Sequence, residues 1–592
     1  MRPTLATIAV LMLCVSTVSA DQPGASPKKI QIGEELDRAL IARSLGDGKV
    51  YVGWRLLESD PKDIAFNVYR RTGQAEPVKL NDKPIKETTD FVDATAGAES
   101  EHTWLVQAIV EGKEGAIEAS CQHATARPSA KPAPYIGIRL GGDHTFQKAG
   151  IADLDGDSHY DFVIKRPNAN VDPYINYWKP STDTFKLEAY SHDGGLLWRH
   201  DLGWSIERGI WYSPYVVYDL DGDGCAEVAV KTGEGDPRDE DGRVQSGPEY
   251  LTLLDGRSGK PITQIDWPSR DLFKDTSRPY NYASRNQLGV AYLDGKTPHL
   301  LVERGTYNVI VLVAYRLTDG KLEEVWRWDN RKEDRNYSGQ GAHWLHSADV
   351  DADGRQEVII GSAVIDDDGT ALWSTGLGHP DHLYVSDIDP TRPGLEIYYG
   401  METRQKERNG MCLVDAATGE ILWGHEGYTR HVHSRGMCSD IDSRHPGSEC
   451  YSADTDSSKK FAWSRLRTAK GKVISEEDIG GFGTHVVHWD ADVQREVLLR
   501  GRIFNYEDPS GQNIEPRIEG SVITVIDLMG DWREEIVTSV PGELRIYTTT
   551  IPATDRRTCL MQDPIYRMDV AHGTMGYHKV PMLSYDVASQ KK

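Results

Sequence analysis

The sequence has little of what several classes of large protein require. Its 592 residues contain seven cysteines, too few for a disulfide framework. Basic residues are fewer than acidic ones, 67 against 91, and the formal net charge of −24 argues against a nucleic acid partner. Helical periodicity is scarce, and beyond the N-terminus no apolar run is long enough to span a membrane. These absences favour a large β protein, which we expect to be a monomer.

The N-terminus has the pattern of a secretory signal peptide. Arg2 precedes an apolar stretch from Leu5 to Val18, and small residues stand before a cleavage position after Ala20. The apolar run is shorter than the ~20 residues that a bilayer span needs. We therefore predict that residues 1–20 are a signal peptide and that the protein is exported, either to the periplasm or to the extracellular space.

Export permits disulfide bonds, and one cysteine pair is a candidate. Cys438 and Cys450 bracket an acidic loop. They form either a disulfide or two buried free thiols, and the sequence does not decide between these alternatives.

A first unit is predicted over residues 21–131. Short alternating segments at 49–54, 64–69 and 103–108 are separated by turns rich in Asp, Gly and Pro. Strands of this length and spacing are typical of a small β-sandwich of fibronectin type III character. A Pro- and Ala-rich stretch at 126–134 then reads as a linker.

The remainder, residues 132–592, repeats an acidic loop in which aspartates alternate with other residues and a further carboxylate follows. The full copies are Asp153, Asp155, Asp157 and Asp161; Asp219, Asp221, Asp223 and Glu227; and Asp349, Asp351, Asp353 and Glu357. Thinner copies are Asp387, Asp389 and Glu396; Asp440, Asp442 and Glu449; Asp490, Asp492 and Glu496; and Asp527, Asp531 and Glu535. A degenerate copy is Leu293-Asp294-Gly295. Eight copies at blade-sized spacing predict an eight-bladed β-propeller.

These loops have the composition of calcium sites. Carboxylates at loop positions one, three, five and nine, with a glycine at four or six, form an oxygen-rich cage that suits Ca²⁺. An EF-hand would place its last acid at position twelve and flank the loop with helices, and neither feature is present. Solvated acidic turns are the alternative, but they do not explain the repeated spacing. We predict several calcium ions, mostly structural.

Cationic, polar and aromatic residues stand upstream of the acidic loops. They include Gln147, Lys148, Arg208, Arg285, His343, His379, His433, Arg435 and His485. A six-residue strand spans ~20 Å, so residues upstream of a loop lie near the other end of its strand. If the first strands line the axis of a propeller, these side chains converge on one mouth. Such a ring suits an acidic polysaccharide such as a uronic acid polymer, because cations hold carboxylates and histidine can transfer protons near neutral pH.

At this point the sequence resembles a known family, the rhamnogalacturonan lyases of polysaccharide lyase family 11. The resemblance extends from about Gly33 to the C-terminus. The segments that carry it are Gly46–Leu57, Ser246–Leu251, Tyr337–Gly341, Val364–Gly369, Ser374–His379 and Gly530–Glu535. It implies an exported, calcium-rich enzyme that cleaves the rhamnose-galacturonate backbone of pectin by β-elimination.

The resemblance also implies roles for particular residues. It implies that His343 and His379 organise a metal or a substrate carboxylate, that Arg435 is a carboxylate partner or the base, and that Tyr577 contacts sugar. Two departures from the family pattern affect the choice of base. Glu519 stands where a lysine is expected, and Gln147-Lys148 replaces polar sugar contacts. Lys148 or a histidine could therefore act as the base.

Two other functions are compatible with a propeller. A non-catalytic, calcium-dependent carbohydrate-binding or adhesion protein would need the acidic loops but not the cationic mouth. A quinone-dependent dehydrogenase is suggested only by tryptophans in recurring turns, such as Trp198 and Trp373. The convergent cations favour the lyase over both.

Overall fold

The computed structural model describes residues 30, 32–34, 36–97, 100–114, 132–433, 436–480, 485–508, 510–577 and 579–589, together with the backbone of 122–126. The predicted signal peptide, residues 1–20, lies outside these ranges. The predicted all-β class is confirmed, because the described residues form 39 strands and two short α-helices, α1 (Pro279–Ala283) and α2 (Pro564–His572). Neither helix has the length and apolar character needed to cross a bilayer.

Two sheets pack on each other near the N-terminus. One contains β1 (Ile41–Gly46), β2 (Lys49–Gly53) and β5 (Asp90–Asp93); the other contains β3 (Ala65–Thr72), β4 (Val78–Lys79), β6 (His102–Val110), β7 (Lys113–Glu114) and β8 (Gln122–Ala126). Their shared core is built around Trp54, Phe66 and Trp104, all fully buried. Trp54 and Phe66 pack edge to face with ring centroids 5.3 Å apart.

The rest of the described chain forms eight antiparallel sheets in sequence order. They are β10 (Lys148–Ala152), β11 (Asp161–Arg166), β12 (Lys186–Tyr190) and β13 (Leu196–Asp201); β14 (Tyr215–Tyr218), β15 (Glu227–Gly233), β16 (Glu249–Asp255) and β17 (Pro261–Asp266); β18 (Asn286–Ala291), β19 (His299–Arg304), β20 (Val311–Thr318) and β21 (Lys321–Asp329); β22 (Gly341–Ala348), β23 (Glu357–Gly361), β24 (Ala363–Ile365) and β25 (Ala371–Ser374); β26 (Pro380–Ser386), β27 (Glu396–Met401), β28 (Arg408–Asp415) and β29 (Ile421–Glu426); β30 (Gly436–Ser439), β31 (Glu449–Thr455), β32 (Phe461–Arg467) and β33 (Val473–Ser475); β34 (His485–Val487), β35 (Glu496–Leu499) and β36 (Arg502–Phe504); and β37 (Ser521–Ile526), β38 (Glu535–Val540) and β39 (Glu543–Tyr547) with β9 (Tyr135–Arg139).

The last sheet joins the two ends of this region. Strand β9 pairs antiparallel with β39, with Tyr135 opposite Tyr547. First strands of successive sheets lie against one another from β10 to β30, and again from β34 through β37 to β10. These contacts are seven of the eight that a closed ring of first strands would make.

Each acidic loop connects the first two strands of its sheet, and its last carboxylate begins the second strand. That carboxylate accepts a hydrogen bond from a backbone N–H near the start of the loop. The seven pairs are Asp161 with Leu154, Glu227 with Leu220, Glu357 with Val350, Glu396 with Ile388, Glu449 with Ile441, Glu496 with Trp489, and Glu535 with Leu528. The same hairpin is therefore built seven times.

Helix α2 is buried along its whole length. Asp563 caps it, because its Oδ1 accepts hydrogen bonds from the backbone N–H groups of Ile565 and Tyr566. The helix lies against β10, β14, β18 and β22, the first strands of four consecutive sheets. The segment that follows it therefore emerges beside those strands and brings Tyr577 to the candidate site described below.

Cys438 and Cys450 lie opposite each other in β30 and β31. Their sulfur atoms are 3.9 Å apart, and both are buried free thiols. The structure therefore contains two buried free thiols here rather than a disulfide.

Arg533 links the N-terminal sandwich to the eighth sheet. Its guanidinium is buried and lies 2.6 Å from Asp531 Oδ2 and 3.5 Å from Asp90 Oδ2. It also donates to the Tyr51 hydroxyl. Asp531, predicted as a metal ligand, is thus engaged in an ion pair that reaches the sandwich.

We expect Arg533→Leu to lower the calorimetric unfolding midpoint strongly. Removing one partner of a buried ion pair leaves the carboxylates uncompensated, which typically costs about 3–5 kcal/mol. Arg327→Leu is the matched control, since Arg327 forms a 2.6 Å pair with Glu324 on an exposed strand and exposed pairs contribute about 0–1 kcal/mol. Equal midpoints for the two variants would contradict this assignment.

Candidate functional site

Four ionisable side chains converge at the ends of three strands. His343 lies in β22, His379 immediately precedes β26, Asp381 lies in β26, and Glu402 follows β27. The antiparallel register of β26 and β27 places Pro380 opposite Met401, so His379 and Glu402 are neighbours across the open end of this hairpin. One nitrogen or oxygen atom from each of the four side chains lies within 4.8 Å of the corresponding atoms of the other three. We call this group the His-carboxylate cluster.

The two imidazoles are oriented toward each other and toward the carboxylates. His379 Nε2 lies 3.2 Å from His343 Nε2 and 3.2 Å from Glu402 Oε2. His343 Nε2 lies 3.5 Å from Asp381 Oδ1. His379 Nδ1 makes a hydrogen bond with the Gly341 carbonyl, which fixes the ring and leaves Nε2 facing the cluster. The geometry thus directs donor atoms of all four residues to one small volume.

Burial and mutual contact set the protonation states of the cluster. Burial lowers the pKa of His343 well below its usual range, and the adjacent His379 lowers it further, so the ring is neutral near pH 7. Burial raises the pKa of Glu402, but the hydrogen bond and charge of His379 outweigh it and bring the pKa to about 2. The cluster therefore combines a neutral imidazole with an ionised carboxylate.

Asp381 is paired with a third histidine. Burial opposes its ionisation, but His433 Nδ1, in direct contact with Asp381 Oδ2, holds the pKa of the carboxyl well below its usual range. In the same contact, Asp381 outweighs the effect of burial on His433 and raises the pKa of that imidazole. His433 thus favours its cationic form at the edge of the cluster.

Aromatic rings form the wall around the histidines. Trp211 and Tyr577 lie with ring centroids 4.5 Å and 5.2 Å from that of His343, and Tyr307 lies 4.8 Å from His379. Arg285 lies over the rings of Trp211 and Tyr307, at 5.1 Å and 5.5 Å from their centroids. The histidines are thereby buried, and electrostatic interactions are stronger in such surroundings than in bulk water.

Arg285 is buried and only partly paired. Its Nη2 lies 2.8 Å from Asp172 Oδ1 and donates to the Asn281 side chain at 3.1 Å. Its Nε and Nη1 have no hydrogen-bond partner among the described residues. A buried cation with donors to spare is costly unless a ligand meets it, so these two groups are suited to a substrate carboxylate.

A cleft of about 400 Å³ opens over the cluster. We call it the main cleft. Cationic and polar residues lining it include Arg278, Arg285, His433, Lys459, Asn176 and Asn281; carboxylates are Asp172 and Glu402; aromatic residues include Tyr174, Tyr282, Tyr307 and Tyr577. A mixed cationic and aromatic lining of this kind suits an acidic sugar.

The structure brings some of the predicted site residues together and not others. His343, Arg285 and Tyr577 line the main cleft, and His379 contacts His343. Arg435 lies outside the described residues, so its predicted role stays a prediction.

Four other predicted residues have different surroundings. Lys148 is buried, and its Nζ donates to the carbonyls of Gly573 and Met575 just after α2. Gln147 donates to the Ala169 carbonyl, and Arg208 donates to Thr182 Oγ1. His485 begins β34, opposite Leu498. None of these four is among the residues that line the main cleft.

The acidic loops contain candidate metal-binding groups. In each of the three full loops, three carboxylates have oxygen atoms within 4.8 Å of one another: Asp153, Asp155 and Asp161; Asp219, Asp221 and Glu227; and Asp349, Asp351 and Asp353. Burial and the neighbouring aspartates raise the pKa of Glu227 to about 8 and that of Glu357 to about 9. Carboxylates so crowded are stabilised in their ionised form by a bound cation.

Sequence reasoning missed Asp381, Glu402 and Asp172. Asp381 had a usable signal, because it stands two positions after His379 and side chains at i and i+2 share a face of an extended segment. Glu402 had none, since only the strand register brings it to His379. Asp172 lies in a long connection whose path cannot be read from a periodic pattern.

Two family models and two curated relatives match the chain. Residues 137–591 match the family described as "Rhamnogalacturonan lyase family 11, C-terminal domain", and residues 31–123 match "Rhamnogalacturonan I lyases beta-sheet domain". The chain is 37% identical to the rhamnogalacturonan endolyase YesW of Bacillus subtilis (strain 168), over 98% of this chain and 95% of that protein. It is 36% identical to the rhamnogalacturonan exolyase YesX of the same organism, over 96% and 97%.

Solved structures give the same result. The crystal structure of YesW superposes with a TM-score of 0.84 at 36% identity, covering 96% of this chain and 99% of that one. That of YesX gives a TM-score of 0.84 at 34% identity, covering 96% and 98%. Because the family match covers most of the sequence and the relatives match over nearly their whole length, the chain belongs to rhamnogalacturonan lyase family 11.

Proposed function

We propose that this polysaccharide lyase cleaves the rhamnose-galacturonate backbone of rhamnogalacturonan I by β-elimination, leaving an unsaturated uronate. β-Elimination requires that the C6 carboxylate be neutralised so that the C5 proton becomes acidic, after which a base removes that proton and the oxygen on C4 leaves. The observation that supports the proposal most directly is the His-carboxylate cluster beside the partly paired Arg285.

A divalent cation fits the His-carboxylate cluster. The ionised Asp381 and Glu402 offer hard oxygen atoms, and the Nε2 atoms of His343 and His379 face the same small volume. We propose Ca²⁺ here, held chiefly by the two carboxylates because this ion prefers oxygen ligands, with the imidazoles completing the site. When bound, the ion would withdraw charge from the uronate carboxylate.

The residues around the cluster would orient the sugar. Arg285 offers Nε and Nη1 to a carboxylate, and Asp172 holds the guanidinium in place. Tyr577 and Trp211 cover His343 and limit the access of water. The cationic His433 is placed by Asp381 at the cleft wall, where it can donate a proton to the departing oxygen. Arg435, two residues further along, stays predicted as either a carboxylate partner or the base.

For the architecture, we propose that the eight sheets are the blades of a β-propeller closed by β9 and that the N-terminal sandwich is fibronectin type III-like. The contacts between successive first strands and the β9–β39 pairing support the proposal of a propeller. The loops at the other end of the blades hold structural Ca²⁺ in this proposal. The N-terminal pattern supports export, in accord with an extracellular plant polymer as substrate.

The decisive test is ultraviolet absorbance of purified protein mixed with rhamnogalacturonan I, with and without a calcium chelator. A rise that the chelator abolishes and calcium restores is expected, because β-elimination creates a conjugated uronate double bond. No rise with any of a panel of uronic acid polymers, from protein shown to be folded, would overturn the proposal in favour of a carbohydrate-binding protein.

Glu402→Gln should reduce kcat at least 100-fold while leaving the unfolding midpoint nearly unchanged. The substitution keeps the shape of the side chain but removes the charge that faces His379 and the proposed ion, and loss of such an interaction commonly costs 10²–10³-fold. Glu420→Gln, at an exposed turn of the same sheet, is the control. Activity of Glu402→Gln equal to that of the control would exclude Glu402 from the reaction.

Chelation should lower the unfolding midpoint, and Glu227→Gln should reduce the part of this effect that added calcium reverses. A ligand at 100 times its Kd stabilises the folded state by about 2.7 kcal/mol per site. Bound calcium per chain, measured by elemental analysis, should fall by one in the variant. An unchanged calcium content would show that the loop of Asp219 holds no ion.

A further inference from the structure

The main cleft continues into a second cavity. This cavity has a volume of about 370 Å³, and Tyr174, Arg278 and Asn281 line both spaces. Resting on the function proposed above, we propose that the second cavity binds the part of the polysaccharide adjacent to the cleaved unit, with Arg278 receiving the carboxylate of the next uronate.

Arg278 is the cation at the junction. It is exposed, it immediately precedes α1, and its guanidinium lies 5.0 Å from the centroid of the Tyr174 ring. Among the described residues, no carboxylate lies within ion-pair distance of it, whereas Arg285 is paired with Asp172 and Arg243 with Asp241. Arg278 therefore has its full set of donors available to a ligand. A guanidinium and a carboxylate form two parallel hydrogen bonds, which suits recognition of a uronate.

The floor of the second cavity is aromatic and rigid. The Tyr280 hydroxyl donates to Glu207 at 2.7 Å, so the ring cannot reorient without breaking that bond. Arg243 lies 4.1 Å from the centroid of the Trp178 ring and 5.6 Å from that of Tyr280, which holds the far wall together. A fixed ring presents an apolar face at little entropic cost, and such faces pack well against sugar rings.

An apolar group completes the lining. Ile175 lines the second cavity and is 72% exposed, so its apolar side chain is available to a ligand there. The polymer proposed as substrate alternates a charged uronate with rhamnose, which carries a methyl group. A cation at the junction followed by an apolar side chain matches that alternation, and this match supports the polysaccharide as the occupant.

Asn281 connects the second cavity to the reacting centre. It is buried, and its side-chain oxygen accepts a hydrogen bond from Arg285 Nη2. Arg278 immediately precedes α1 and Asn281 lies within it, so the backbone of Arg278 and the side chain that holds Arg285 belong to one short helix. A polymer that engages Arg278 is thereby aligned with the uronate that Arg285 holds, which lowers the entropic cost of positioning the bond to be cleaved.

The test compares Arg278→Gln with Arg238→Gln. Arg238 is a matched control, because it also stacks on an aromatic ring, with its guanidinium 3.9 Å from the centroid of Trp204, but lines neither cavity. We expect Arg278→Gln to lower kcat/KM about tenfold on the polymer and by a clearly smaller factor on the shortest cleaved oligosaccharide. An equal reduction on both substrates, or none beyond that of Arg238→Gln, would overturn the inference.

A binding measurement separates this inference from the proposed reaction. Retardation of the protein in gels containing rhamnogalacturonan I should be weaker for Arg278→Gln than for wild type. The difference should disappear when the carboxylates of the polymer are chemically reduced. If wild type binds in this way without cleaving, the proposed reaction fails while the binding site stands. If reduction of the carboxylates leaves the difference intact, Arg278 does not recognise a uronate.

Discussion

The structure depends on one hydrogen bond made seven times, from a loop N–H to the carboxylate that begins the second strand of a sheet. The bond fixes the loop, and through the antiparallel register it fixes the opposite end of the hairpin. In β26 and β27 the bond from Ile388 to Glu396 lies at one end, and His379 and Glu402 face each other at the other. The repeated loop and the His-carboxylate cluster thus lie at opposite ends of the same hairpin. Residues that stabilise the fold are therefore separate from residues of the cluster.

The acidic loops hold carboxylates so close together that ionising all of them is unfavourable. The pKa of Glu357 is raised to about 9 by burial and by the aspartates of its own loop, so full ionisation there calls for a cation. A bound cation at each loop would neutralise much of the charge excess of −24. This resolves the apparent conflict between an acidic protein and an acidic substrate, since the crowded loop carboxylates lie at one end of the strands and Arg285, with two donors to spare, lies at the other.

The sequence was sufficient for features that repeat or that follow from strand length. It predicted the all-β class, the position of the acidic loops, and the convergence of His343, His379 and Arg285. It was insufficient where orientation depends on a distant segment. Lys148 begins its strand as expected, but the turn after α2 presents two carbonyls that take its ammonium, and nothing in the local pattern reveals a helix more than 400 residues away. The role of Glu402 could not be predicted, because only the strand register brings this residue next to His379.

The third sheet lacks the carboxylate, and its first hairpin is supported by a neighbouring sheet instead. In the third sheet His299 begins the second strand. The backbone N–H of Tyr292 donates a hydrogen bond to the side-chain oxygen of Gln356, which precedes the second strand of the next sheet. A Cβ on Gly295 would lie 2.1 Å from the Gly354 carbonyl, so the two loops are in direct contact. The third sheet therefore takes its support from the acidic loop of the fourth. Because Arg285 immediately precedes the first strand of the third sheet, the arginine that faces the cluster depends on a neighbouring acidic loop rather than one of its own.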